Sequence, residues 1–158
     1  MLNHYSIGFN NLIKLGFEPR DIHYNTFSWS KHFETDITVF EKDGTLIEIE
    51  WKNNLEDFTI DFFKNIGGYS RKLAKRRPRR TRVKDSSVIY KHDLLKAREV
   101  PLKQFYFACP GGIIPKEKVP EYAGLIYLEP DFFSIAQAFI IKPAPILNTK
   151  QTNPAFLW

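Results

Sequence analysis

The sequence predicts an α/β fold in which a mixed β-sheet is flanked by helices, all within a single domain. Three observations lead to this prediction: an alternating β-hairpin pattern, helical patterns on either side of it, and short apolar runs towards the C-terminus. The order helix, hairpin, helix, strand, strand differs from a repeated βαβ unit and from a β-sandwich. With 158 residues, of which 43% are hydrophobic, the chain can bury one core.

Three segments show the spacing of amphipathic helices. Residues 2–15 carry apolar side chains near helical spacing and end at Gly16. Residues 55–66 place apolar residues on one face, with Asn54 as the candidate N-cap. Residues 86–98 are expected to form a further helix.

The remaining segments are predicted to be strands or extended chain. Residues 104–110 and 124–128 are short apolar runs typical of buried strands. Residues 135–142 indicate a final strand, with a helix as the alternative. Residues 17–33 are ambiguous, with a short strand expected around Thr26–Ser30, and the proline-rich residues 143–158 are expected to form a C-terminal tail.

The strongest local pattern is a hairpin, in which residues 35–41 and 45–52 both alternate between apolar and polar side chains. A two-residue loop would place Asp36 opposite Trp51, whereas a three-residue loop with Gly44 in the left-handed conformation places Asp36 opposite Glu50. Directly opposed residues share a face of the sheet, and only the three-residue loop leaves one face wholly apolar. The pattern therefore predicts the three-residue loop.

The polar face of this hairpin carries the candidate catalytic residues Asp36, Glu50 and Lys52. Opposed carboxylates can hold one divalent cation, and oxygen ligands favour Mg²⁺ or Mn²⁺, so the candidate metal ligands are Asp36, Glu50 and Glu48. Such a metal polarises a phosphodiester and lowers the pKa of a bound water, while Lys52 orients that water or stabilises negative charge. The alternative interpretation is an ordinary amphipathic hairpin with a solvated polar face.

The net charge of +5 is concentrated in one segment. Between residues 71 and 84, nine of fourteen residues are basic and none is acidic, so the rest of the chain is net −4. Several arginines favour bidentate contacts with phosphate, and such contacts are independent of sequence and sensitive to salt. The candidate nucleic-acid contacts of this segment are Arg71, Lys72, Lys75, Arg76, Arg77, Arg79, Arg80, Arg82 and Lys84. A solvated loop without a partner is the alternative.

Several function classes lack support in the sequence. The single cysteine, Cys109, lies in an apolar run and is predicted to be a core residue; it fits a reducing cytoplasm. The four histidines show no zinc-ligand spacing, and neither a phosphate-binding loop nor a nucleophile elbow is present. No apolar run is long enough for a membrane helix, and the N-terminus lacks the order of a secretory signal.

The hairpin, from Asp36-ITVF through KDG to Glu50-Trp-Lys52, resembles the signature of the PD-(D/E)xK, or restriction-endonuclease-like, superfamily. The segments LEDFTIDFF, KHDLL, QFYFACPGGIIP and VPEYAGLIYL are similar to the MmcB-like family of DNA-repair nucleases and to related phage proteins. The resemblance covers residues 1–142, with residues 67–88 as a flexible basic insertion. It implies a restriction-endonuclease-like sheet in which Asp36 and Glu50 bind Mg²⁺ and Lys52 assists the attacking water.

The resemblance implies a Mg²⁺-dependent endonuclease acting on DNA in repair, in recombination or in a mobile element, with weak sequence specificity or recognition of DNA structure. A homodimer is an expected assembly, because a double-strand cut needs two sites. Lys91 and His92 fall where related sequences carry a basic pair, and we expect them to contact a phosphate; a surface role for His92 is the alternative. A non-catalytic nucleic-acid-binding protein that uses residues 71–84 is the competing function.

Two sets of acidic residues bear on the metal site. Many superfamily members add a glutamate from the first helix, but residues 1–16 contain no acid. Glu18 or Glu34 is expected to replace it; the alternative is a site that holds its metal with fewer ligands. Asp57 and Asp61 share one face of the following helix. They are expected either to support the metal ligands or to lie on a solvated helix face.

Neutralising Arg76, Arg77, Arg79 and Arg80 together is expected to lower DNA affinity and to flatten its dependence on salt. The reason is that fewer phosphate contacts form on binding, so fewer counterions are released from the DNA. Binding isotherms measured over a range of salt concentrations test this expectation. An unchanged salt slope would show that the basic segment does not bind the DNA backbone.

Overall fold

The computed structural model describes residues 1–27, 29–66, 88–133 and 135–151. Their centre is a six-stranded mixed sheet in the order β1-β2-β3-β6-β7-β8. Strands β1 to β3 are antiparallel, β3, β6 and β7 are parallel, and β8 returns antiparallel to β7. The six strands are β1 (Pro19–Thr26), β2 (Thr35–Glu41), β3 (Leu46–Trp51), β6 (Gln104–Pro110), β7 (Gly124–Pro130) and β8 (Ala136–Lys142). The predicted α/β fold class is confirmed.

Short helices and a small ribbon complete the described chain. The ribbon consists of two antiparallel two-residue strands, β4 (Asn65–Ile66) and β5 (Ile89–Tyr90). The helices are α1 (Phe9–Lys14), α2 (Leu55–Asp61) and α3 (Lys91–Lys96), with 3-10 turns at His4–Ser6 and Lys116–Lys118. No helix among the described residues is both long and apolar enough to cross a membrane.

The hairpin has the register that its hydrophobic pattern predicts. Ile37 pairs with Ile49 and Thr38 with Glu48. Glu41 donates its backbone N–H to the carbonyl of Thr45, which closes a three-residue loop in which Gly44 has a φ of 83°. One step further along this register, Asp36 lies opposite Glu50, as the pattern predicts.

Two apolar clusters cover the two faces of the sheet. The apolar face of the hairpin packs with α1 through Leu12. The opposite face carries Phe105 and Phe107 of β6, which α2 and α3 cover with Phe58 and Leu95. Because α2 and α3 lie on the polar side of the hairpin, they bury that side as well, and every residue of β3 is buried. Cys109 is buried and free, as predicted for a core residue.

The predicted helices are longer than the observed ones. The first predicted helix is broken at Gly8, whose extended backbone caps α1, so its N-terminal part is only a 3-10 turn. The second helix begins at the predicted cap, where Asn54 accepts a hydrogen bond from the N–H of Asp57. It ends at Asp61, because Asn65–Ile66 joins the small ribbon. Ile89 and Tyr90, which lie within the third predicted helix, form the other strand of this ribbon instead.

The first strand was misplaced by the sequence pattern. It spans Pro19–Thr26 rather than Thr26–Ser30, and its residues, all but one of them exposed or half-buried, carry no clear apolar alternation. An edge strand with a single neighbour needs less apolar surface, which removes the signal on which the prediction relied. The final segment is a strand at Ala136–Lys142, and the helical alternative for it is wrong.

The described part of the C-terminal tail, residues 143–151, lies against the body without regular structure. Ala144 and Leu147 are buried, and the backbone of Leu147 donates to the carbonyl of Lys103. The side chain of Gln151 donates to the carbonyl of Asp43 in the hairpin turn. This part of the tail therefore contributes to the core and is hydrogen-bonded to the turn of the hairpin.

Candidate functional site

An open pocket of about 330 Å³ lies where β3 ends and α2 begins. Its acidic members include the two opposed hairpin carboxylates, and its basic members include Lys52. The lining residues are His4, Asp36, Glu50, Trp51, Lys52, Asn53, Asp57, Ile60, Asp61 and Lys64. The pocket thus brings together the three predicted catalytic residues Asp36, Glu50 and Lys52.

Asp36 is the least buried of the hairpin carboxylates in this site. Its Oδ2 accepts the backbone N–H of Trp51 at 2.8 Å, which joins the start of β2 to the end of β3. Burial and then the negative charge of Glu50 raise the pKa of Asp36 to about 6, in spite of the nearby Lys52. The ionised form of Asp36 is therefore disfavoured in the metal-free pocket, and a cation bound beside it would stabilise that form.

Glu50 is surrounded by ammonium groups. Its Oε1 lies 2.6 Å from the Nζ of Lys91, and its Oε2 lies 2.9 Å from the Nζ of Lys64 and 3.5 Å from that of Lys52. Burial alone would raise the pKa of Glu50, but the charges of Lys91 and Lys64 outweigh it and lower the pKa to about 2. Glu50 is therefore a fixed anion.

Asp61 belongs to the site, contrary to the interpretation that places it on a solvated helix face. It is 1% exposed at the end of α2, and its Oδ1 accepts from the Nζ of Lys52 at 2.6 Å and lies 2.8 Å from that of Lys64. Although burial raises the pKa of Asp61, the hydrogen bond from His92 and the charges of both lysines hold it well below its usual range. The spacing of Asp57 and Asp61 indicated a shared face, but burial of Asp61 depends on α3 packing against it.

Lys91 and His92 are interior residues, which corrects the expectation that they contact a phosphate or lie at the surface. Lys91 is 0% exposed, and its ammonium forms ion pairs with both Glu48 and Glu50. His92 is 2% exposed, with Nε2 2.6 Å from Oδ2 of Asp61 and Nδ1 2.8 Å from the hydroxyl of Tyr122. The buried carboxylates require interior partners, and these two residues supply them.

Glu48 lies behind the pocket rather than in its lining. It pairs with Lys91 and accepts the indole N–H of Trp29 at 2.6 Å. Burial raises the pKa of Glu48 despite the charge of Lys91. Its role in this structure is to hold Lys91, and the prediction that it is a metal ligand receives no support from its position.

The N-terminal segment contributes a histidine rather than a carboxylate to the pocket. His4 lines the pocket, and its Nε2 has no hydrogen-bond partner among the described residues. Glu18 and Glu34, the expected replacements for a first-helix carboxylate, are exposed and do not line the pocket. That expectation is therefore wrong for this pocket.

The donor set fits a divalent cation through two carboxylates. Asp36 and Glu50 line the pocket together, and burial, followed by the negative charge of Glu50, raises the pKa of Asp36 despite the nearby lysines. Within the described ranges, no group of three or more His, Cys, Asp or Glu side chains is arranged to hold a metal ion. A cation held here would complete its coordination with waters and phosphate oxygens, as Mg²⁺ commonly does.

The predicted nucleic-acid contacts at residues 71–84 lie outside the described residues. The described chain on either side of them does bear on the site. Asn65 pairs with Tyr90 and Ile66 with Ile89, which brings the described residues on the two sides of this gap together. Lys64 and Lys91, which flank this ribbon, both contact Glu50. The described residues that flank the gap thus lie beside the pocket.

No protein-family model and no curated protein sequence matches this chain. Among solved structures, the chain is similar to SPO1766, a protein of unknown function from Silicibacter pomeroyi. The two share 18% sequence identity with a TM-score of 0.52, and the match covers 92% of this chain and 70% of the other. At this identity the similarity concerns the fold alone.

Replacing Asp36 with Asn is expected to stabilise the metal-free protein at pH 8. The pKa of Asp36 is raised to about 6 in the folded protein from 3.8, so its ionisation opposes folding increasingly as the pH rises from about 4 to above 6. The amide keeps an oxygen for the N–H of Trp51. The expected gain in free energy of unfolding is roughly 1 to 3 kcal/mol at pH 8, and it shrinks at pH 4.5.

Thermal or urea unfolding in EDTA at the two pH values measures this difference. Glu56→Gln is the matched control, since Glu56 is exposed on α2 outside the pocket. A lower stability of Asp36→Asn at pH 8 would show that Asp36 is well compensated in the metal-free protein.

Proposed function

We propose that this chain is a Mg²⁺- or Mn²⁺-dependent nuclease that hydrolyses phosphodiester bonds of DNA with weak sequence specificity or by recognising DNA structure. The observation that carries the proposal is the pocket in which the hairpin register gathers Asp36, Glu50 and Lys52. Two carboxylates that bind a metal, with a lysine beside them, are the groups that metal-assisted phosphodiester hydrolysis uses.

Each pocket residue has a role in this proposal. Asp36 and Glu50 would hold the metal, which would supply a Lewis acid that polarises the phosphodiester and activates water. The ammonium of Lys52 stabilises negative charge that develops on the phosphate and orients the attacking water. Lys91 stays in the interior and fixes Glu50 as an anion, so that this ligand needs no deprotonation before it binds metal.

Lys64 gives the pocket an accessible positive charge. Its side chain is 33% exposed, while those of Lys52 and Lys91 are 5% and 0% exposed. An ammonium at this position attracts the phosphate backbone towards the carboxylates, which would otherwise repel it. The basic segment, which begins seven residues later at Arg71, extends this attraction along the DNA.

A non-catalytic nucleic-acid-binding protein is the second candidate function. The observation that favours it is the set of three ammonium groups around Glu50, which already neutralise this carboxylate without a metal. In that case the buried charges serve only to stabilise the fold, and the basic segment alone binds nucleic acid.

Cleavage of supercoiled, branched and single-stranded DNA in the presence of Mg²⁺ distinguishes the two functions. Asp36→Ala or Lys52→Ala is expected to lower the cleavage rate by about 100-fold or more, because each removes a group that acts on the reacting phosphate or its metal. DNA affinity, measured in parallel by fluorescence anisotropy, is expected to stay close to that of the wild type.

Glu56→Ala and Lys42→Ala serve as matched controls, since both residues are exposed and neither lines the pocket. Wild-type protein that binds DNA but cuts none of the three substrates with Mg²⁺ or Mn²⁺ would favour the non-catalytic function. Cleavage by both pocket variants at the wild-type rate would rule out the assigned site.

A further inference from the structure

Lys52 is held more closely by Asp61 than by Glu50, its neighbour in the hairpin. Its Nζ lies 2.6 Å from Oδ1 of Asp61 and 3.5 Å from Oε2 of Glu50. Both Lys52 and Asp61 are almost wholly buried, so water screens this contact little. The position of the ammonium is therefore set from α2 rather than from β3, the strand that ends just before Lys52.

Asp61 is in turn fixed by groups behind the pocket. Nε2 of His92 lies 2.6 Å from Oδ2 of Asp61, on the oxygen that Lys52 leaves free. The ring of His92 is stacked on Phe107 with an interplanar angle of 8°, and it also contacts Phe62. Apolar rings on β6 and directly after α2 thus hold the imidazole in one orientation.

Tyr122 completes this chain of hydrogen bonds. Its hydroxyl lies 2.8 Å from Nδ1 of His92. Burial lowers the pKa of His92 in spite of the adjacent Asp61, so the ring is neutral at pH 7. A neutral ring that donates from Nε2 to the carboxylate accepts at Nδ1, and the Tyr122 hydroxyl donates there. The hydrogen bonds therefore select one tautomer of His92.

We infer that Asp61, oriented by His92 and Tyr122, is a positioning residue that fixes the ammonium of Lys52 in the pocket. The inference rests on the proposed function, in which Lys52 acts on the scissile phosphate. A lysine ammonium sits on a flexible four-carbon stem, and without Asp61 the nearest remaining carboxylate is Glu50. Movement of Lys52 towards Glu50 would withdraw it from the phosphate and place its charge on a metal ligand.

Steady-state cleavage kinetics compare wild type, Asp61→Asn, Asp61→Glu and the exposed control Glu56→Gln on the same helix. Asp61→Asn keeps the shape but removes the charge, and we expect kcat to fall by roughly 10- to 100-fold with KM for DNA changed by less than about 2-fold. Asp61→Glu restores a carboxylate and is expected to recover part of kcat. A wild-type kcat in Asp61→Asn would overturn the inference, as would an equal loss in Asp61→Glu and Asp61→Asn.

A spectroscopic measurement tests the contact without any cleavage. In the wild-type protein labelled with ¹⁵N and ¹³C, the ammonium signal of Lys52 is assigned by its loss in Lys52→Arg. We expect a coupling across the hydrogen bond from Nζ of Lys52 to the carboxylate carbon of Asp61. A coupling to Glu50 alone, or a freely exchanging ammonium, would overturn the inference even if Asp61→Asn failed to fold.

The kinetic and the spectroscopic measurements together distinguish a failure of this inference from a failure of the proposed function. Wild-type protein that cuts no DNA but shows the coupling to Asp61 would defeat the nuclease proposal while supporting the contact. Wild-type protein that cuts DNA but lacks this coupling would retain the nuclease proposal and overturn the role of Asp61.

Discussion

The pairing of β2 with β3 decides on which face of the sheet the charged residues of the hairpin lie. The three-residue turn with Gly44 sets this register, and Ile37 opposite Ile49 marks the apolar face that it produces. A slip of one residue would exchange the two faces of one strand, placing its carboxylates against α1 and its isoleucines against α2. Such a slip would bury carboxylates without partners, so the buried lysines and the apolar core favour the same register. The geometry of the pocket is therefore as firmly specified as the core.

The properties of the pocket also depend on its charges, because the carboxylates of the site outnumber the ammonium groups by one. Four carboxylates (Asp36, Glu48, Glu50 and Asp61) share the interior with the ammonium groups of Lys52, Lys64 and Lys91, while His92 stays neutral. Because the charges lose their hydration on burial, such a cluster adds little to the free energy of unfolding. Removing one member of a buried ion pair lowers that free energy by far more than the intact pair raises it. Burial and then the negative charge of Glu50 raise the pKa of Asp36, the carboxylate nearest to solvent among the hairpin acids of the site. A site that lacks one positive charge at its open end is suited to receive a cation.

The parts of this structure that sequence patterns predicted are those that depend on neighbours along the chain. The hairpin register followed from alternation and turn chemistry, and the strand at Gln104–Pro110 followed from an uninterrupted apolar run. The burial of Asp61, Lys91 and His92 was not predicted, because it arises where α2 and α3 meet across a long separation in sequence. One signal was available: Glu48 and Glu50 face one side of a central strand, and two buried carboxylates require cationic partners elsewhere in the chain. The edge strand β1 gave no comparable signal, since most of its residues remain in contact with solvent.

Binding of a divalent cation by Asp36 and Glu50, in a pocket where Lys52 is already positioned, is the property on which the proposed function depends. A crystal of the protein soaked in Mn²⁺ tests for it, because the anomalous scattering of manganese locates the metal without reference to activity. We expect an anomalous peak within coordinating distance of carboxylate oxygens of both Asp36 and Glu50, and the loss of that peak in Asp36→Asn. A pocket without a peak at saturating Mn²⁺, with the ammonium groups of Lys64 and Lys91 still on Glu50, would show that the two carboxylates do not bind a metal.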